Sequence, residues 1–84
     1  MQNLSNRLNR SIRNMINNLG DRIKEQRELA GETQKELAEG IGVAQSAVSQ
    51  WEKGINEPKA TYLKAISLRY NVTSDYLLGI TDIF

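Results

Sequence analysis

The run from Gln34 to Lys53, QKELAEGIGVAQSAVSQWEK, leaves little freedom about how this chain folds. Leu37 and Ile41 are spaced four apart, and Val48 and Trp51 three apart, so each pair lies on one face of its own helix. Two short helices with one apolar stripe each are predicted. Gly42 falls between the stripes, where the chain must reverse within a few residues and a positive φ is needed. Ala38 carries no bulk beyond Cβ and lets the second helix cross close over the first, while Val43 fills the corner between them. Thr33 followed by Glu36 has the spacing of a capping box, in which hydroxyl and carboxylate reciprocally satisfy free amides. The first of the two helices is therefore expected to open at about Gln34.

On the second helix, the residues left facing outward are Ala44, Gln45, Ser46, Ser49, Gln50 and Lys53. They form a nearly neutral set of small or amide side chains, which suits base edges. Glutamine pairs with adenine through its amide, serine donates or accepts, and an alanine methyl packs on a thymine methyl in the major groove. An ordinary helical hairpin with a polar outer face yields each of these features singly. All of them at these spacings make a helix-turn-helix.

TQKELAEGIGVAQSAVSQWEKG, with LGDRIKEQRELAG before it and INEPKATYLKAISLRYNVTSDYLLGITD after it, closely resembles the Cro and lambda-repressor type (XRE-like) DNA-binding domains. The resemblance covers residues 19–82. It implies an all-α, compact five-helix domain whose third helix enters the major groove, commonly as a homodimer on a two-fold symmetric operator in double-stranded DNA. By position, it implies that Gln45, Ser46, Ser49 and Gln50, with Ala44, read bases. Gln34 and Lys35, at a helix opening, would hold a phosphate, Gln34 through side chain and backbone N–H together. Lys53 and the loop from Asn56 to Lys59 would track the backbone on the other side. Arg27 and Glu52 match an ion pair that ties the first helix to the recognition helix. As an exposed pair it would contribute under about 1 kcal/mol, whereas breaking a buried one costs roughly 3 kcal/mol or more.

Three positions depart from that pattern. Ala44 stands where a Ser or Thr cap is usual, a loss of about 1 kcal/mol. Gly40 sits inside the first helix of the motif, at close to 1 kcal/mol relative to alanine. Glu32 replaces the apolar residue common before the Thr-Gln pair, so one core contact is expected to be missing.

After the motif, Gly54 ends the recognition helix and Pro58 stops any continuation, which makes INEPK a loop. A fourth helix is predicted from about Ala60, with Leu63, Ile66 and Tyr70 as its stripe and Tyr62 and Ala65 alongside. Asn71 ends it, Thr73 caps the short turn SDYLL, and Gly79 closes that turn. Tyr76, Leu77, Ile80 and Ile83, with Phe84, are either a dimer seam or simply core and an apolar tail; residues 83–84 form that tail.

The amino-terminal segment, residues 1–18, falls outside the resemblance. Leu4, Leu8, Ile12, Met15 and Ile16, continued by Leu19, fall within about 120° on a helical wheel, with Arg7, Arg10 and Arg13 on the far side. An extra amphipathic helix is predicted, followed by a break at Gly20 and Asp21. Its stripe packs on its own domain or meets a symmetry mate through Leu8 and Ile12; alternatively its arginines reach DNA, or it holds another protein or an anionic membrane surface.

Composition narrows the function from the other side. At 84 residues there is room for one domain. With no cysteine and no histidine, the chain lacks disulfides, thiolate chemistry, the usual general base and the common zinc ligands. No enzyme activity, cofactor, metal or small-molecule ligand is expected. Neither a signal peptide nor a run of about 18 apolar residues occurs, so no membrane role is expected for the domain and a cytoplasmic bacterial or phage protein fits. The net charge of +1 and pI near 8.0 are mild for a nucleic-acid binder. The basic excess lies at the amino end, because residues 1–20 contain three arginines and no acid. No repeat, low-complexity run, glycine-rich phosphate loop or strand pattern is present. The expectation is a transcriptional regulator, a repressor by the resemblance, that occupies an operator. Two alternatives stand: an antitoxin-like protein-interaction module, or the DNA-binding part of a longer repressor. No Ala-Gly type self-cleavage linker follows Gly79, so no peptidase-like regulatory domain is expected here.

Overall fold

The computed structural model describes residues 19–84, and the expected amino-terminal helix, including Leu8 and Ile12, lies outside them. The described residues form five helices and no strand: α1 (Leu19–Leu29), α2 (Gln34–Ile41), α3 (Gln45–Lys53), α4 (Ala60–Tyr70) and α5 (Ser74–Leu77). Local chemistry sets most of their ends. Thr33 and Glu36 form the complete capping box that opens α2. The turn between α2 and α3 closes on Gly42 at φ 80°, whose N–H donates to the Ala38 carbonyl. Gly54 at φ 76° ends α3, and Asn71 at φ 54° ends α4. The Thr73 hydroxyl accepts the Tyr76 N–H and opens α5.

Every helix contributes to one core, in which Ile23, Leu37, Val48, Ile66 and Leu77 are completely buried. Trp51 and Tyr76 complete it, with Leu63, Tyr62 and Tyr70 packed around the edge. The Trp51 and Tyr62 rings meet at 5.9 Å and seat α4 against α3. Tyr76 and Leu77 belong to this core, at 5% and 0% exposure, and so are not available as a dimer seam. They sit on the inward side of α5, because its single turn has to close the bottom of a small core. Leu78, Ile80, Ile83 and Phe84 remain exposed.

Gly20 is not a helix break: it lies buried inside the first turn of α1. A Cβ there would lie 3.0 Å from the Glu52 carbonyl oxygen and would collide with that of Trp51. Glycine is present because the backbone of α1 runs against the end of α3, not because the chain turns.

Two long-range arginine contacts account for other departures. The Glu32 carboxylate pairs with Arg69 of α4 through both of its oxygens, so an ion pair replaces the expected apolar contact. Those hydrogen bonds hold the Glu32 carboxyl below the usual glutamate value of 4.5. To reach Glu32, the Arg69 guanidinium crosses Gly40, where any Cβ would collide with it. The glycine that weakens α2 locally thus makes room for the strap between α4 and the α1–α2 loop. Beside it, the Tyr70 hydroxyl is buried close to the Glu32 charge but makes no hydrogen bond of normal geometry. Burial and that charge push its pKa up.

The second arginine, Arg22, is 3% exposed and donates to the Tyr76 carbonyl at 2.8 Å and the Thr81 carbonyl at 2.7 Å. It also pairs with Asp82 at 2.7 Å and lies over the Tyr76 ring, 4.6 Å from its centre. Phe84 meets the same ring edge-on at 5.2 Å. The tail after α5 is therefore tied to α1.

Candidate nucleic-acid interface

The geometry of α3 follows from what locks its inward face. Val48 and Trp51 enter the core, and Glu52 takes part in a buried polar network. Arg27 donates from Nε to Glu52 Oε2 at 2.7 Å and from Nη2 to Oε1 at 3.0 Å, a two-pronged pair with side chains 9% and 3% exposed. Its Nη1 donates to the Glu32 carbonyl at 2.6 Å. These hydrogen bonds to the carboxylate hold the Arg27 guanidinium more firmly protonated than usual. The pair is the buried one of the two versions considered from sequence, and it fixes the angle of α3 to α1.

Gln34 joins this network. Its Nε2 donates to Glu52 Oε1 at 3.0 Å, so one of its two side-chain N–H donors is engaged inside the domain. Lys35 beside it is exposed, as are Lys53 and Lys59.

Facing outward on α3, Gln45, Ser46 and Gln50 are exposed and Ser49 is half-buried. Ala44 occupies the cap position with φ −73° and ψ 148° and makes no side-chain cap bond, leaving that helix opening without a hydroxyl cap. The α4 opening at Lys59 also lacks a side-chain cap. Asn56 does not stand alone in the loop: its Nδ2 donates to Gln50 Oε1 at 2.5 Å. Nothing in the sequence spacing announces this contact, since it depends on how the Gly54 turn folds the loop back along α3. Small polar side chains on the outward face of a helix, held by a rigid inward face, can donate to and accept from base edges in a groove. Among the described residues no cluster of His, Cys, Asp and Glu could hold a metal.

A tight α2–turn–α3 pair packed on three supporting helices defines a helix-turn-helix domain. The helix-turn-helix family profile matches residues 23–77, and the chain belongs to that family. Among its relatives, the HTH-type transcriptional regulator ImmR of Bacillus subtilis is 44% identical over 61 residues, which cover 73% of this chain and 48% of ImmR. The chain thus spans about half the length of that relative. Among solved structures, the P22 c2 repressor in complex with a synthetic operator superposes with a TM-score of 0.70 at 36% identity, covering 73% of this chain and 92% of that one. SinR of Bacillus subtilis in complex with DNA gives a TM-score of 0.67 at 36% identity, over 71% of this chain and 97% of that one.

Proposed function

We propose that this chain is a sequence-specific, double-stranded-DNA-binding transcriptional regulator, a repressor that acts as a homodimer on a palindromic operator by occupying it. The observation that carries the reading is the division of α3 into an inward face locked by Val48, Trp51 and the Arg27–Glu52 pair and an outward face of exposed Gln45, Ser46 and Gln50 with half-buried Ser49 beside them. Its likeness to domains solved on DNA supports the same reading. Residues 19–82 form the DNA-binding unit, with 34–53 as the helix-turn-helix; residues 1–18 are an extension and 83–84 a tail. Gln45, Ser46 and Gln50 contact base edges, with Ser49 and Ala44 flanking them. Gln34, Lys35, Lys53 and Lys59 hold phosphates. The exposed Ile80 and Ile83 are the residues offered to a second copy. The protein works by binding and not by catalysis, in the cytoplasm; among the described residues no helix is long and apolar enough to cross a membrane.

The test is selection of random duplex DNA by the purified chain, followed by anisotropy on the winning sequence across a salt series. Enrichment of a palindrome is expected. With about four phosphates neutralised per subunit, the log-log salt slope of a dimer is roughly −7. Failure to enrich any duplex, with a slope near zero, rejects the proposal.

A further inference from the structure

We infer that Arg69 of α4 is a positioning residue for the phosphate grip of Gln34: the strap it makes to Glu32 across Gly40 holds the opening of α2 where that grip needs it. The inference rests on the DNA-binding reading above and goes further, because it brings into DNA binding a residue that has no place among the contacts proposed there.

Glu32 is the last residue before the Thr33 cap, and it is tied through backbone and side chain alike. Its N–H donates to the Arg27 carbonyl at 3.0 Å, and its own carbonyl accepts from Arg27 Nη1 at 2.6 Å. Its carboxylate accepts from Arg69 Nε at 2.9 Å and from Arg69 Nη2. Two residues on, Gln34 donates to the Glu52 carboxylate that also holds Arg27. The opening of α2 is thereby fixed to α1 and α3 through Arg27 and Glu52. Of these ties, only the one through Arg69 reaches α4.

Core packing does not explain the strap. Neither residue belongs to the buried apolar cluster, and the Glu32 and Arg69 side chains stay 19% and 30% exposed. The strap is nevertheless accommodated at the expense of α2, since glycine is a poor helix former and any Cβ at position 40 would collide with the Arg69 guanidinium. Leu37 and Ala38 bury the inward side of α2, which fixes its depth but leaves a short helix free to tilt about that contact. The guanidinium meets the chain at Gly40 and at Glu32, on either side of Leu37 and Ala38, and so resists the tilt. Tilting displaces the ends of a helix most, and Gln34 is the first residue of α2. A tilt of about 10° about the middle of a helix roughly 12 Å long moves each end by about 1 Å. That is enough to lose a hydrogen bond to a phosphate.

The test uses the duplex that the parent chain selects, synthesised with one neutral methylphosphonate at a time, and reads affinity by anisotropy. Gln34→Ala identifies the phosphate that Gln34 holds, as the one at which the loss on neutralisation falls most. There the parent should lose about tenfold in affinity, as expected for a hydrogen bond to a charged group. Arg69→Met and Glu32→Gln should each reduce that loss to about threefold or less, while keeping the parent's losses at other phosphates and its base preferences. Gly40→Ala favours the helix and pushes the guanidinium aside with Arg69 and Glu32 both in place. It should show the same selective change, so the question stays decidable even where a charge variant unfolds; melts verify which variants are folded. Parental losses at that phosphate in the folded variants make the strap a stabilising contact only and overturn the inference while DNA binding stands. An equal reduction at every phosphate, which is general loosening, overturns it as well. If Gln34→Ala changes the response at no phosphate, there is no grip to position, and the inference falls while DNA binding stands. If the parent selects no duplex, the DNA-binding reading itself fails and this inference with it.

Discussion

Replacing Glu52 by alanine removes the acceptor of three hydrogen bonds at once, two from Arg27 and one from Gln34. What remains is a guanidinium whose side chain is only 9% exposed and whose single remaining tie from this network is the Glu32 carbonyl. An uncompensated buried charge of this kind costs about 3 to 5 kcal/mol. In a domain of this size each kcal/mol lowers Tm by about 4–8 °C, so Glu52→Ala should melt at least roughly 12 °C below the parent. Thermal and urea melts followed by circular dichroism measure this directly. The double variant with Arg27→Met should recover part of the loss, because the stranded charge is gone. Glu52→Gln should fall between, since its amide oxygen still accepts from Arg27. A Glu52→Ala chain within about 1 kcal/mol of the parent, or a double variant whose losses simply add, refutes the view that this pair orients α3 from the inside.

Gly20→Ala should destabilise the fold by about 1–3 kcal/mol although alanine is the better helix former, because its methyl meets the Trp51 and Glu52 carbonyl oxygens; a melt at or above the parent's rejects the close approach. Ala44→Ser should stabilise by about 0.5–1 kcal/mol by supplying the missing hydroxyl at a cap position already in the extended conformation; urea titration reads the gain, and no change means those amides are otherwise satisfied. Folded Glu32 gives up its proton more readily than unfolded Glu32, so the Arg69 pair contributes fully above the usual glutamate value of 4.5, and its contribution is lost as pH falls through the lowered folded value. Melts of the parent and of Glu32→Gln across that acid range should therefore converge, and a constant gap between them contradicts the assignment.

What could be read from the sequence was whatever neighbouring residues decide among themselves. The capping box at Thr33 and Glu36, the reversal at Gly42, the stop at Gly54 and the cap at Thr73 are each settled within four residues, and so is the apolar spacing that sends Leu37, Val48 and Trp51 inward. The misread positions depend on partners far along the chain. Gly20 looks like a break until α3 is known to lie against it. Glu32 looks like a missing core residue until Arg69, 37 positions later, is found to reach it, and Gly40 looks like a weakness until that arginine is seen crossing it. Tyr76 and Leu77 could be assigned to core or seam only once the single turn of α5 had been oriented. The Asn56 contact was hidden for a smaller reason: it depends on the direction in which one left-handed glycine sends a short loop.

The two faces of α3 carry separate duties, and this bears on how such a chain can change. Gln45 and Ser46 are exposed and lie outside the core, so substitutions there should leave the fold intact. On the proposed base-reading roles, a lineage or a protein engineer retargets the domain by exchanging those side chains without restoring stability elsewhere. Gln50 is the exception, because its side-chain oxygen accepts a hydrogen bond from Asn56 in the loop, so a substitution at 50 also strands a partner at 56.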